Sequence, residues 1–268
     1  MQLLVAAAVL LASTPLTAGA ARSPDAFRAP DAYYAAVASR IHGLEQAAAG
    51  QAEIDRHLRR EFGWVAQPME PAAPARPDGL AALASSASNV IISKPLLYWD
   101  MYARRYQVYM TWTWRTCDGE PCYRDDVPKS GNVGGQDGFG VQVSRSLPPI
   151  WTHLQAFNGH GAVTNYTTPE THNQGGATFS EQDILATYHD LLSYTWHHGS
   201  IIWAFGRPSC RPGQYWTFNA KMAHTWSSTA LTSFTVSIPA GIQATFSSTE
   251  DNWFGAGPSP YNWYPCGH

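Results

Sequence analysis

Apolar and polar residues alternate most sharply between Arg105 and Arg115. Tyr106, Val108, Met110, Trp112 and Trp114 fall on one side, and Gln107, Tyr109, Thr111 and Thr113 on the other. A period of two over such a run predicts a strand with one buried face. Gly138 to Arg145 repeats the pattern, with Phe139, Val141 and Val143 set against Gly140, Gln142 and Ser144. The two runs are expected to form a hairpin over one core, with Cys117 and Cys122 stapling its turn. Ser200 to Phe205 is apolar at nearly every position and predicts a strand buried on both faces. Gln214–Trp226, Leu231–Ile238 and Ile242–Ser247 alternate again, and their polar sets are rich in Ser and Thr, which suits half-solvated antiparallel sheet. Two stretches are less regular. Trp151 to Ser180 holds no sustained period and predicts loop with one short strand. In Glu181 to His198 the spacing of Ile184, Leu185, Tyr188, Leu191 and Leu192 favours a helix that Ser180 caps, the alternative being a strand pair with Leu191 to Trp196 extended.

The N-terminal part has a different period. Tyr33, Val37, Ile41 and Leu44, then Ile54, Leu58 and Phe62, recur at helical spacing. Gly43 and Gly50 divide this run into two helices, and Gly63 suits the residue just past a helix end. Four prolines between Gln67 and Gly79 mark an extended linker. The first twenty residues carry a short apolar core, Leu3 to Ala12, and small residues at Ala18-Gly-Ala20. That core is too short to span a bilayer and matches a secretory signal peptide. The expected organisation is a signal peptide over 1–20, a helical segment over 21–66, a Pro/Ala-rich linker over 67–87 and a β domain over 88–268. The helical segment suits a pro-segment, a docking arm, a short oligomerisation element or a hairpin packed on the main domain. The fold class is mainly β, an antiparallel β-sandwich, jelly-roll-like or immunoglobulin-like, preceded by a short helical N-terminal segment.

Charge and cysteines narrow the function classes. The net charge is -3, and no Lys/Arg cluster offers a nucleic-acid footprint. Four cysteines in an exported chain predict two disulfides, Cys117–Cys122 and Cys210–Cys266, and the protein is expected to be secreted and extracellular. Their spacing does not make a thiolate zinc site.

Candidate chemistry is dispersed. Asp125, Asp126 and Asp137 fall in stretches that read as loop beside Gly turns, a set of hard oxygen ligands that could take Ca²⁺ and reads otherwise as an acidic, solvated loop region; no cofactor is expected. His224 falls on an apolar face, where a core histidine with a satisfied ring is expected. No Gly-x-Ser-x-Gly, P-loop or His-Glu-x-x-His is present. Trp151, Trp253, Tyr261, Trp263 and Tyr264 sit in loops or near strand ends, where aromatic rings form stacking platforms for sugars. At Tyr106 to Trp114, Gly135 to Gly140 and Ala223 to Thr229 the chain resembles a loose group of secreted, β-rich proteins of Gram-positive bacteria without an assigned activity. That resemblance implies secretion and a β-rich domain but no mechanism. The leading expectation is a non-enzymatic protein that binds a glycan or surface ligand through aromatic loops. The alternatives are a hydrolase with a dispersed His/Asp site and a membrane-active β protein, the latter from the Ser/Thr alternation of Thr225 to Ser248.

Overall fold

A computed structural model describes residues 30–72, 89–117, 120–121, 131–159, 161, 163–188, 191–257 and 260–267. In chain order the elements are α1 (Pro30–Gln46), α2 (Gln51–Phe62), β1 (Trp64–Ala66), β2 (Glu70–Pro71), β3 (Val90–Ile92), β4 (Leu96–Asp100) and β5 (Arg105–Trp114). There follow β6 (Thr116–Cys117), β7 (Glu120–Pro121), β8 (Gly131–Val143), β9 (Pro149–Phe157), β10 (Val163–Tyr166), β11 (Thr171–Asn173) and β12 (Gly176–Tyr188). The remainder are β13 (Leu191–Tyr194), β14 (His198–Phe205), β15 (Trp216–Thr225), β16 (Leu231–Ser237), β17 (Gly241–Phe246), β18 (Asn252–Ala256) and β19 (Tyr261–Trp263).

Two antiparallel sheets enclose the main core. The first runs β1-β4-β5-β14-β9-β10, with β3 also on β5. The second runs β11-β12-β8-β15-β19-β2, with β13 on β12 and β18 on β15. The alternating run of β5 faces inward with Tyr106, Val108, Met110, Trp112 and Trp114, and β8 answers with Phe139, Val141 and Val143. These strands do not form the expected hairpin. β5 pairs with β3, β4 and β14, whereas β8 pairs with β12 and β15. They meet across the core instead, with the Trp112 and Phe139 rings 4.7 Å apart. Alternation specifies a buried face but not which neighbour supplies the ladder.

The flanking layers explain why both faces of the first sheet are apolar. Ile201, Trp203 and Phe205 of β14 enter the inter-sheet core, while Ile202 and Ala204 turn outward beneath the helices. Helix α1 lays Tyr34, Val37, Ala38 and Ile41 on that outer face, and α2 adds Ile54, Leu58 and Phe62. Gly63 closes α2 in the left-handed conformation (φ 72°). A buried chain of hydrogen bonds fixes the helices: Trp64 Nε1 donates to the Tyr33 hydroxyl at 2.8 Å, and that hydroxyl donates to Asp100 Oδ2 at 3.0 Å. The helical segment is therefore a layer of the domain, and β1 and β2 stitch it to both sheets.

The stretch from Glu181 to His198 is strand, not helix. β12 continues the ladder with β8 and turns back as β13, pairing Leu185 with Tyr194 and Tyr188 with Leu191. Its apolar residues imitate helical spacing because two short strands and a turn were superposed in one window, and the long ladder to β8 overrides the local preference. The supposed loop from Trp151 to Ser180 holds β9, β10, β11 and the start of β12. The last layer is the β16–β17 hairpin, a separate two-stranded sheet on the outer face of the second sheet. Cys210 is bonded to Cys266, which ties the C-terminal segment to the body of the domain. The side chain of Cys117 and all of Cys122 lie outside what is described.

Candidate functional site

Among the polar clusters of the described residues, two bear on function. The first is inside the sandwich. Along β8 the inward positions are Val143, Val141, Phe139 and then Asp137, so alternation carries a carboxylate into the core. Along β15 the same logic carries His224 inward after Ala220 and Met222. His224 Nδ1 lies 2.9 Å from both oxygens of Asp137, and the Thr225 amide donates to Oδ1 at 3.1 Å. A register shift in β12 between Gln182 and Ile184 turns Asp183 into the same region. Its Oδ1 accepts from Thr195 Oγ1 and from the Trp196 amide, each at 3.2 Å, and its Oδ2 has no partner among the described residues. Burial, followed by the nearby charge of Asp137, pushes the Asp183 carboxyl up to about 7.

This cluster has the residue types of acid/base chemistry but not the access. Asp137 is 0% exposed and His224 1%. The His224 ring is packed by Trp114, Trp226 and Trp253 at centroid distances of 4.8, 5.6 and 5.6 Å. The hydrogen bonds of Asp137 fix the end of β15 to β8, and the cluster is a structural one. This corrects the reading of Asp137 as a loop ligand for Ca²⁺. It is a strand residue committed to His224 and Thr225. Asp125 and Asp126 lie outside the described residues, and no group of three or more metal-ligating side chains occurs among those described.

The aromatic tail is also corrected in part. Trp263 is 2% exposed and packs on Tyr106 and Trp216, and Trp253 is 9% exposed against Trp114. Both are core residues because β18 and β19 pair with β15, so neither offers a ring face to a ligand. Trp151 is half-buried against the helix-side cluster. Tyr264 is half-buried and rests on Tyr215 near the Cys210–Cys266 bond, with ring centroids 5.5 Å apart.

Tyr261 borders a cleft. The second polar place is this opening of about 170 Å³, where α2, the segment after β1, the start of β4 and β19 come together. From α2 come Gln51 and Asp55, one turn apart on one helix face. From the β4 side come Lys94, Leu96 and Tyr98, and from β19 comes Tyr261. The Tyr98 hydroxyl donates to Asp55 Oδ1 at 2.9 Å, and Gln51 Nε2 donates to the same oxygen at 2.8 Å. Gln51 Nε2 also lies 3.1 Å from the Tyr98 hydroxyl. Burial and the Asp55 charge hold the Tyr98 phenol well above its ordinary range, so it stays a neutral donor. Met69, Pro95 and Leu97 supply apolar wall. The result is a small, pre-formed wall of acceptor, amide, ammonium and aromatic ring. Residues from the helical layer were not part of any sequence expectation for the site. The signal available was the pair Gln51 and Asp55 at i and i+4 on the polar side of α2, which reads equally as a solvated helix face.

No protein-family model matches the chain, and no curated protein or solved structure is similar to it.

Proposed function

We propose that the protein is a secreted binding protein whose cleft takes a small hydroxyl-rich ligand, such as a terminal sugar unit of a surface glycan. The observation that carries this reading is the locked Asp55–Tyr98–Gln51 arrangement beside Tyr261. A carboxylate and an amide held in place accept and donate to vicinal hydroxyls, and an aromatic ring packs on the apolar face of a sugar. Lys94 adds a cation on an exposed side chain. Pre-organisation matters in so small a site, because few contacts are available to offset the cost of immobilising the ligand. Export is supported by the Cys210–Cys266 bond and by the apolar leader. No described helix is long and apolar enough to cross a membrane.

A glycan array followed by calorimetric titration of the best oligosaccharide tests the reading. Asp55→Ala is expected to weaken binding at least about tenfold, the loss of one to two charge-assisted hydrogen bonds. Tyr261→Ala is expected to weaken it less, and Trp263→Phe to leave it unchanged. Binding that survives Asp55→Ala intact would remove the cleft from the account.

A further inference from the structure

The β16–β17 hairpin belongs to neither large sheet. Its two strands pair only with each other, and it lies flat on the outer face of the second sheet. What holds it there is apolar contact together with a few hydrogen bonds from side chains: Thr178 Oγ1 to the Phe234 carbonyl at 2.8 Å, Asn173 Nδ2 to the Val236 carbonyl at 2.7 Å, and the Ile242 amide to Gln142 Oε1 at 2.6 Å. No backbone ladder has to break for it to leave.

The hairpin is two-faced throughout. Leu231, Phe234, Val236 and Ile242 are buried against the sheet. Ser233 opposite Thr245, and Thr235 opposite Gln243, form an exposed polar face. The seat is shaped for it: β8 presents Gly138 and Gly140 outward, and a Cβ at Gly138 would stand 2.7 Å from Phe234 Cδ1. No Asp, Glu, Lys or Arg occurs between Lys221 and Glu250, in a chain of which 14% is charged. The tip, Ile238-Pro-Ala240, is apolar and exposed.

We infer that this hairpin is a membrane-inserting element: it leaves the second sheet and joins the hairpins of further copies of this chain in a transmembrane β-barrel. A barrel strand presents apolar residues to lipid and polar residues to the lumen in strict alternation, and charge on the lipid face is strongly unfavourable. Ser233–Ile238 and Ile242–Ser247 meet both conditions, and a bulge between Leu231 and Ser233 brings Leu231 onto the same buried face. With the uncharged residues that flank them, the limbs Thr229–Ile238 and Gly241–Thr249 reach the 9–11 residues a tilted barrel strand needs. Further copies are required because one hairpin in lipid leaves the backbone groups of both outer edges unpaired, and a closed ring leaves none. In the water-soluble form the second sheet stands in for the bilayer and hides the same apolar face. Glu250 and Asp251 close the segment and would stay in water. This function uses another face of the molecule and does not depend on ligand binding in the cleft.

A reversible lock tests it. The Cβ built at Gly138 lies 3.0 Å from Phe234 Cγ, which puts the two Cβ atoms within about 4.5 Å, the reach of a disulfide. The assay is release of calcein from vesicles of equal parts phosphatidylcholine and phosphatidylglycerol. The parent protein should release dye, with and without dithiothreitol. Gly138→Cys/Phe234→Cys should release at least about tenfold less when oxidised and recover when reduced, and the reduced form doubles as the folding control. Ile238→Glu, at the exposed tip, should also lose release. A parent that leaves these vesicles intact overturns the inference. So does an oxidised double-cysteine variant that releases dye at the parent rate.

Discussion

Trp253 shows how a residue's chemistry is decided by the strand that carries it. In the sequence it stands in a Gly- and Pro-rich tail and reads as a ring free to stack on a sugar. In the fold β18 pairs with β15, and the ring closes the core beside Trp114 and His224. Trp253→Ala should therefore destabilise the protein by about 3–5 kcal/mol in urea unfolding, as large core truncations do, while leaving binding by the folded fraction intact. Asp137 and His224 teach the same lesson. The inward position of His224 was legible from the alternation of β15, whereas Asp137 read as a loop residue because the pattern starts only at Gly138; their pairing was not legible, because the residues are far apart in sequence and only the β8–β15 ladder brings them together. Asp183 was not legible at all, since a strand irregularity places it. Its raised pKa has a sign that can be checked. The unfolded chain loses the proton near the ordinary aspartate value of ~3.9 and the folded protein only near 7. The unfolded state therefore binds fewer protons across that window, and the protein loses stability as pH rises through it, by up to a few kcal/mol. Asp183→Asn should flatten the dependence of urea midpoint on pH between about 4 and 7.

At the scale of elements, period-two runs were reliable and mixed runs were not. β5, β14, β15 and the β16–β17 hairpin were all legible because each buries a continuous face. β9 to β11 were largely read as loop, and β12 and β13 only as the alternative to a helix, since their ladders are set by neighbours on β8 and β14 more than by their own pattern. The contact of α1 with the first sheet contains a second pH-sensitive feature. His42 Nε2 of α1 lies 3.4 Å from His198 Nε2 of β14, and both rings stack on Phe157. Burial, then the neighbouring histidines, pushes His198 down to about 3, and burial lowers His42. The folded protein keeps these rings neutral while the unfolded chain takes up protons below ~6.5. Their contribution is therefore present above that pH and is lost as pH falls from about 6.5 towards 3, by up to about 2 kcal/mol at pH 5 for His198. His198→Asn should flatten thermal stability over this acid window, measured by circular dichroism. An unchanged profile would show that the ring is hydrated in the folded state.

The described residues stack mainly in four layers, the two helices, two large sheets and a detached hairpin, with the short β6–β7 pair beside them. The fold class followed from the sequence because Trp and Tyr crowd the β region and the strands alternate. The division of labour between layers did not, because neither outer layer is required by a sandwich core. The helical segment in particular read equally as a removable pro-segment or as a hairpin packed on the domain; it covers Tyr98, Tyr109, Ile202 and Ala204 and supplies Gln51 and Asp55 to the cleft. Deleting residues up to Gly63 should expose that apolar face and give aggregation in place of a soluble β domain, as read by size-exclusion chromatography. A soluble, monodisperse truncated protein would restore the view of a dispensable leader.

The central claim, that the cleft between α2, β4 and β19 is where the protein recognises its ligand, is tested most directly by backbone and side-chain chemical-shift mapping during titration with the oligosaccharide chosen from the array. The account predicts saturable shifts centred on Gln51, Asp55, Lys94, Tyr98 and Tyr261, absent in Asp55→Ala. Saturable shifts centred elsewhere, for example on Tyr215 and Tyr264, with the cleft undisturbed, would contradict it.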